Sequence, residues 1–249
     1  MELQNYFNGL KKLSAILTQV HKKLPSRCLA CNSATQARHL VCQYCVNDWQ
    51  QGANYLGWED ITTLLDAQKS MQIDELEHIF CLAEHKAPIA NLITQYKYQR
   101  DLTARTALSQ LLSASFADSD TSQLGNLSQF DYLVPVPMHF SALWFRGFNQ
   151  SAWLAKQLGA YSQVPVLNAL QKTKSTKHQA NLTGQARRLH KQDFYAVKPK
   201  LLQQVKGKRL LLVDDVITTG ATLNSLAACL LEHEVASVSA VTVSWAKLG

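Results

Sequence analysis

The chain has 249 residues, 47% of them hydrophobic, with six cysteines and a formal charge of +7. This is enough apolar material for one main domain with an appendage, and the cysteines do not suggest a disulfide framework. No apolar run is long enough for an integral membrane segment. Residues 1–20 are amphipathic, interrupted by Lys11 and Lys12, and lack the compact apolar core of a leader. The expected location is cytoplasmic.

Leu3, Leu10, Leu13, Leu17 and Val20 recur at helical spacing and predict a helix over residues 3–20. Then come Cys28-Leu29-Ala30-Cys31, ten further residues, and Cys42-Gln43-Tyr44-Cys45. Two C-x₂-C pairs at this separation make a Cys₄ tetrahedral site. Soft thiolates favour Zn²⁺, and four protein ligands leave no open position, so the expected role is structural. Four unrelated thiols and an iron–sulfur cluster are the competing readings, and the paired spacing favours zinc over the latter. Arg27, Arg38, Tyr44 and Trp49 would suit phosphate contact and base stacking. The element could equally be a clip holding the N-terminal helix. Residues 50–76 read as an irregular or short-helix linker. The domains expected are therefore 1–76 (helix, zinc element, linker) and 77–249.

Residues 79–82 predict a strand, 87–98 and 102–116 helices, and 118–129 a polar loop. Cys81 and Cys229 sit in apolar patterns and read as core packing. A strand over 132–136 is followed by Pro137, Met138 and His139, and Arg146-Gly147-Phe148-Asn149-Gln150 opens a helix to about residue 158. Short strands are expected at 164–167 and 194–197, separated by the basic, acid-free stretch 172–192. Residues 132–209 hold thirteen Lys/Arg against a single acid, Asp193, a local charge of +12 where the remainder carries −5. Concentrated positive charge is a footprint for a polyanion, either a small polyphosphate or nucleic acid.

A strand over 209–213, a helix over 222–231 and a strand over 235–243 complete a β-α-β unit. The alternation predicts an α/β fold with a doubly wound, mostly parallel sheet. In residues 210–222 an apolar run ends in Asp214 and Asp215, and Thr218, Thr219, Gly220, Ala221 and Thr222 then open a helix. Open α/β sheets bind ligands at the carboxyl ends of their strands. Backbone N–H groups and hydroxyls at a helix N-terminus favour an anion. Two aspartates before it can accept from sugar hydroxyls or help to hold Mg²⁺. A phosphate cradle beside a diol acceptor is a ribose-5-phosphate site. An ATPase would need a G-x-x-x-x-G-K-[ST] loop, which the chain lacks. The remaining alternative is an ordinary strand-turn-helix with a capping Thr.

Residues 210–222 resemble the signature of type I phosphoribosyltransferases, which bind phosphoribosyl pyrophosphate (PRPP). The four cysteines, Lys97-Tyr98, Val134-Pro135-Val136-Pro137, the Arg146–Gln150 block, Gln179 with Leu182, and Arg187 extend the resemblance. From about residue 28 onward the chain resembles the ComF (ComFC) competence and DNA-utilisation family, which joins a zinc element to such a domain. The resemblance implies handling of single-stranded DNA during natural transformation, alongside a partner from the DNA-uptake machinery. Departures are the absence of cysteine from 46–80 and Asn32 where relatives usually carry Gly.

On that resemblance, residues 218–222 would cradle the 5-phosphate and Asp214 and Asp215 would hold the ribose hydroxyls, with Mg²⁺ bridging pyrophosphate and sugar. Pro137 and Met138 would meet the pyrophosphate. Arg187 or Arg188, on a lid over 172–191, would neutralise it as it leaves. Two functions stay open. One is phosphoribosyl transfer to an unidentified nucleobase or nucleotide. The other is binding of single-stranded DNA by Lys172, Lys174, Lys177, Arg146 and Arg188, with Trp144 and Phe145 exposed and Phe148 and Trp153 facing the core. A salvage enzyme for a free base would need a base-specific hood, which nothing in the sequence identifies.

Overall fold

The computed structural model describes residues 26–35, 39–71, 73–117, 124, 127–138, 140–173 and 194–247. The helix expected over 3–20 lies outside them, as does most of the basic stretch 172–192. Strands β1 (Ser26–Arg27) and β2 (Ala34–Thr35) form a small antiparallel ribbon. The main sheet contains β3 (Tyr55–Asp60), β4 (Ile79–Glu84), β5 (Tyr132–Pro135), β8 (Arg209–Ile217) and β9 (Ser237–Trp245), in the order β3-β4-β9-β8-β5. All neighbours are parallel except β3, which runs antiparallel along one edge. A separate antiparallel pair joins β6 (Leu170–Lys172) to β7 (Tyr195–Val197).

The sheet is central because β8 and β9 are apolar on both faces, as buried parallel strands must be. Side chains along β8 alternate between two cores. Leu211 and Val213 join the core built with the helices Leu102–Ala117 and Gln150–Ser162. Leu210 and Leu212 join the core built with the helix Ala221–Leu231. The doubly wound, mostly parallel sheet expected from the sequence is therefore what the chain forms, with β5, β8 and β9 where the apolar runs lie.

Three segments differ from expectation. The linker over 50–76 contains β3, an integral edge strand. Its pattern is obscured by Gly57 (φ 58°) and Trp58 (φ 66°), whose left-handed backbone accompanies a shift in register against β4. Trp58 is fully buried, stacks on Phe116 at 5.2 Å and donates from Nε1 to Ser115 Oγ at 3.2 Å. The strand over 164–167 reduces to a single bridge from Leu133 to Val166, because Pro165 has no N–H to extend a ladder. Residues 140–146, given no element from sequence, form the helix Phe140–Arg146.

If β3 is structural, Trp58→Ala should destabilise the protein by about 3–5 kcal/mol in urea unfolding. A loss below about 1 kcal/mol would return the segment to the status of a linker.

Candidate functional site

Asp214 and Asp215 lie near the carboxyl end of β8. Asp214 Oδ1 accepts from Ser151 Oγ at 2.8 Å and from the Asp215 N–H at 2.9 Å. Asp215 is buried, and its Oδ2 lies 2.7 Å from Lys97 Nζ, itself largely enclosed. Lys97 is carried by Gln95–Gln99, a wide π-type turn that Arg100 closes in a left-handed conformation (φ 54°). Such turns often occur at functional sites. Burial, reinforced by the neighbouring Asp215 charge, raises the Asp214 carboxyl from its ordinary 3.8 to about 7, against the opposing pull of Ser151, the Asp215 N–H and Lys97.

The loop after β8 ends at Gly220, whose φ of 73° places it in the left-handed region before the helix Ala221–Leu231. Thr218 is exposed and Thr219 half-buried. The Ala221 N is 3.4 Å from Thr219 Oγ1, and burial is the main influence on the Tyr195 phenol, raising it above its ordinary value.

Four residues of the Arg146–Gln150 block have a local task. Arg146 ends one helix, and Gly147 (φ 81°) turns the chain while its N–H donates to the Leu143 carbonyl at 2.7 Å. Phe148 stacks on Tyr96 at 4.6 Å, beside Lys97 in sequence. Asn149 Oδ1 caps the helix Gln150–Ser162, accepting from the Ser151 and Ala152 N–H groups, and Asn149 Nδ2 donates to the Val136 carbonyl at 3.0 Å. Gln150 is buried. The block thereby fixes Ser151 against Asp214.

These elements enclose a cleft of about 290 Å³. From the sequence-predicted ligand residues it collects Pro137, Met138, Asp214, Asp215 and Thr222. Arg146 and Lys172, expected at a nucleic-acid surface, line the same cleft. Arg146 sits 5.2 Å over the Tyr98 ring and Lys172 Nζ 5.6 Å over the Tyr195 ring. Thr218, Thr219, Gly220 and Ala221 form the adjoining loop and are absent from the cleft lining. Lys174, Lys177, Arg187, Arg188 and His139 lie outside the described residues. Sequence reasoning gave no role to Lys97, Ser151 or Tyr195. Lys97-Tyr98 was a visible signal, but Ser151 had none, since only the fold brings it to Asp214.

The second candidate centre is the Cys₄ element. The Sγ atoms of Cys28, Cys31, Cys42 and Cys45 all lie within 4.8 Å of one another, and those of Cys31 and Cys42 are 3.7 Å apart. A tetrahedral thiolate site with metal–sulfur bonds of about 2.3 Å needs a sulfur separation of about 3.8 Å, so these four atoms could hold a metal ion. Burial raises the Cys28 thiol, but hydrogen bonds from the backbone at Cys42, Cys31 and Ala30 outweigh it and bring the thiol down to about 6. Asn32 has φ 61°. Asn tolerates this left-handed position better than other side-chain-bearing residues, so the turn forms without Gly. The element docks on the helix Leu102–Ala117, where Gln110 Oε1 accepts from the Leu40 and Val41 N–H groups at 2.8 and 3.1 Å.

Residues 147–247 match the phosphoribosyl transferase domain family. Competence protein F of Haemophilus influenzae is 31% identical over 144 residues, covering 57% of this chain and 62% of that protein. The chain thus spans less than two thirds of that relative. DNA utilization protein YhgH of Escherichia coli K12 is 29% identical over 163 residues, covering 65% of this chain and 69% of that protein. Competence protein ComFC of Bacillus subtilis is 35% identical over 112 residues, covering 45% and 43% respectively.

Lys97→Met leaves Asp215 buried without its counter-ion and is expected to cost about 3 kcal/mol. Adding Asp215→Asn should recover part of that loss in a double-mutant cycle. A second expectation concerns pH. Asp214 holds its proton more tightly in the fold than in the open chain, so its contribution to the stability of the ligand-free protein falls as pH rises from about 4 to about 7. Between pH 5 and pH 8 wild type should therefore lose urea resistance relative to Asp214→Asn. A constant difference between the two would mean that Asp214 titrates normally.

Proposed function

We propose, for a chain that is a relative of the ComF competence and DNA-utilisation proteins and carries a phosphoribosyl transferase domain, that the cleft binds PRPP and that the protein handles single-stranded DNA during natural transformation. The supporting observation is convergence: the Asp214–Asp215 pair and the cations Lys97, Arg146 and Lys172 meet in one cleft beside an anion-ready helix start. No helix among the described residues is long and apolar enough to cross a membrane. A cytoplasmic site of action and a partner from the DNA-uptake machinery belong to the same proposal.

The 218–222 loop would take the 5-phosphate through backbone N–H groups and hydroxyls. Two of the four carboxylate oxygens of the aspartate pair are committed to Ser151, the Asp215 N–H and Lys97, leaving two for ribose hydroxyls or a cation. That donor set fits Mg²⁺, which binds through one or two carboxylates together with ligand phosphates. Mg²⁺, when bound, would supply charge neutralisation at the pyrophosphate. Arg146 and Lys172, near Pro137 and Met138, would add to it, and Arg187 or Arg188 would complete it. As pyrophosphate leaves, positive charge develops at C1 of the ribose. Neutralising the leaving group and excluding water would provide most of any acceleration. The alternative is an active phosphoribosyltransferase on an unidentified nucleobase or nucleotide, without direct DNA binding, and it uses the same cleft. In the Cys₄ element the ion would be a structural Zn²⁺.

Calorimetric titration with Mg²⁺·PRPP should show binding by wild type that Asp214→Asn/Asp215→Asn abolishes, and the isotherm should change when single-stranded DNA is added. No heat from wild type would leave a transferase fold without its ligand. Metal analysis should find one zinc per chain, and Cys28→Ser/Cys45→Ser should lose both the zinc and thermal stability. Zinc retained by that variant would disprove the ligand set.

A further inference from the structure

The helix Phe140–Arg146 has no buried residue. Phe140, Trp144 and Phe145 are 72%, 81% and 73% exposed. A seven-residue helix does not form alone in water, and this one is held at its C-terminal end and not by an apolar face. Arg100 Nη2 donates to the Phe145 carbonyl, Gly147 N–H donates to the Leu143 carbonyl, and the Arg146 guanidinium lies over the Tyr98 ring. The fold thus fixes a helix in place and leaves its aromatic rings in solvent. Grouped exposed apolar side chains of this kind mark interaction sites.

The surroundings specify the partner. Residues 132–173 contain no acidic side chain. Arg100 and Arg146 anchor the helix, Tyr98 beside them is 65% exposed, and Ala142 and Arg146 line the phosphoribosyl cleft. Aromatic rings interleaved with cations, in a segment without acids, match a flexible polyanion whose bases are free to stack. Helices that lie in a membrane surface carry Lys/Arg along a polar face, whereas this helix carries a single cation, Arg146, at its end. A duplex, with its bases already paired and stacked, has none to offer the rings.

We propose that Phe140, Trp144 and Phe145 form a base-stacking platform for single-stranded DNA at the mouth of the cleft, so that a bound strand is presented to the phosphoribosyl site through Arg146. This rests on the DNA-handling reading above and gives it a location. Strand and pyrophosphate then share Arg146, which couples the two ligands.

The chain contains its own reporter. Trp49, Trp58 and Trp245 are buried and Trp153 packs against the core, leaving Trp144 as the exposed tryptophan of the five. Titration of the full chain with a 12-mer of oligo-dT should quench its fluorescence, and the corresponding duplex should not. Trp144→Ala/Phe145→Ala should bind labelled oligo-dT at least tenfold more weakly by anisotropy with an unchanged unfolding midpoint, since neither side chain is in the core. Asp214→Asn/Asp215→Asn should bind oligo-dT like wild type. If wild type binds the strand and the aromatic variant binds it equally well, the platform is wrong while the DNA-handling reading stands. If wild type binds no strand, both fall. Quenching by anionic lipid vesicles but not by oligo-dT, or aromatic-dependent dimerisation in sedimentation, would replace the proposal with a membrane or self-association surface.

Discussion

Asp215 places a carboxylate inside the sheet, where an unpaired charge would be driven to neutralise or would cost several kcal/mol. The Lys97 ammonium 2.7 Å away answers that constraint, and much of the surrounding architecture serves to deliver it. Lys97 sits on a wide turn between two helices, and Tyr96 next to it stacks on Phe148. Phe148 belongs to the block whose Asn149 caps the following helix and sets Ser151 on Asp214. One buried charge therefore links three segments far apart in sequence. A ligand diol reaching the aspartates would meet a pair whose geometry is already fixed.

This linkage explains which parts of the site were legible in the sequence. The aspartate pair and the loop after it are contiguous, and strand, carboxylates, glycine and helix follow each other within thirteen residues. Lys97 and Ser151 reach the same place from distances of 118 and 63 residues, and no spacing rule connects them to it. The Lys97-Tyr98 pair was noticeable only as a resemblance and carried no role. Periodicity recovered the central strands because both their faces are buried. It failed at Tyr55–Asp60, where a left-handed Gly57-Trp58 pair breaks the alternation, and at residues 164–167, where Pro165 cannot extend a ladder. It gave no element for Phe140–Arg146, whose apolar side chains face no core and so obey no burial pattern.

The Cys₄ element shows how a side-chain-bearing residue can serve a left-handed turn. Asn32 takes the left-handed turn that Gly usually serves, and the sulfurs still converge to metal-binding distance. Its position on the domain is set by main-chain donors meeting one side chain, Gln110, and by Val46 and Trp49 entering the main core. The hydrogen bonds close ring-like links some seventy residues long, so the element is packed into the domain and not tethered beside it. A surface fixed in this way cannot swing independently toward the cleft.

That geometry bears on how one protein could join DNA handling to a phosphoribosyl site. The basic stretch 132–209 offered two roles from sequence, a small polyphosphate or a nucleic acid, and the fold does not segregate them. Arg146 and Lys172 line the cleft, each also lying against an aromatic ring, and the aromatic helix contributes Ala142 and Arg146 to its lining. A cation already held over a ring has lost part of its freedom, so a phosphate gains it at a smaller entropic cost. If the cleft takes a pyrophosphate and the surface a strand phosphate, as proposed, such a cation could neutralise either but not both fully, so occupancy of one ligand would alter affinity for the other, and by the same factor in each direction. On the proposed reading, the sharing of Arg146, and not a separate regulatory domain, would make the phosphoribosyl site responsive to DNA.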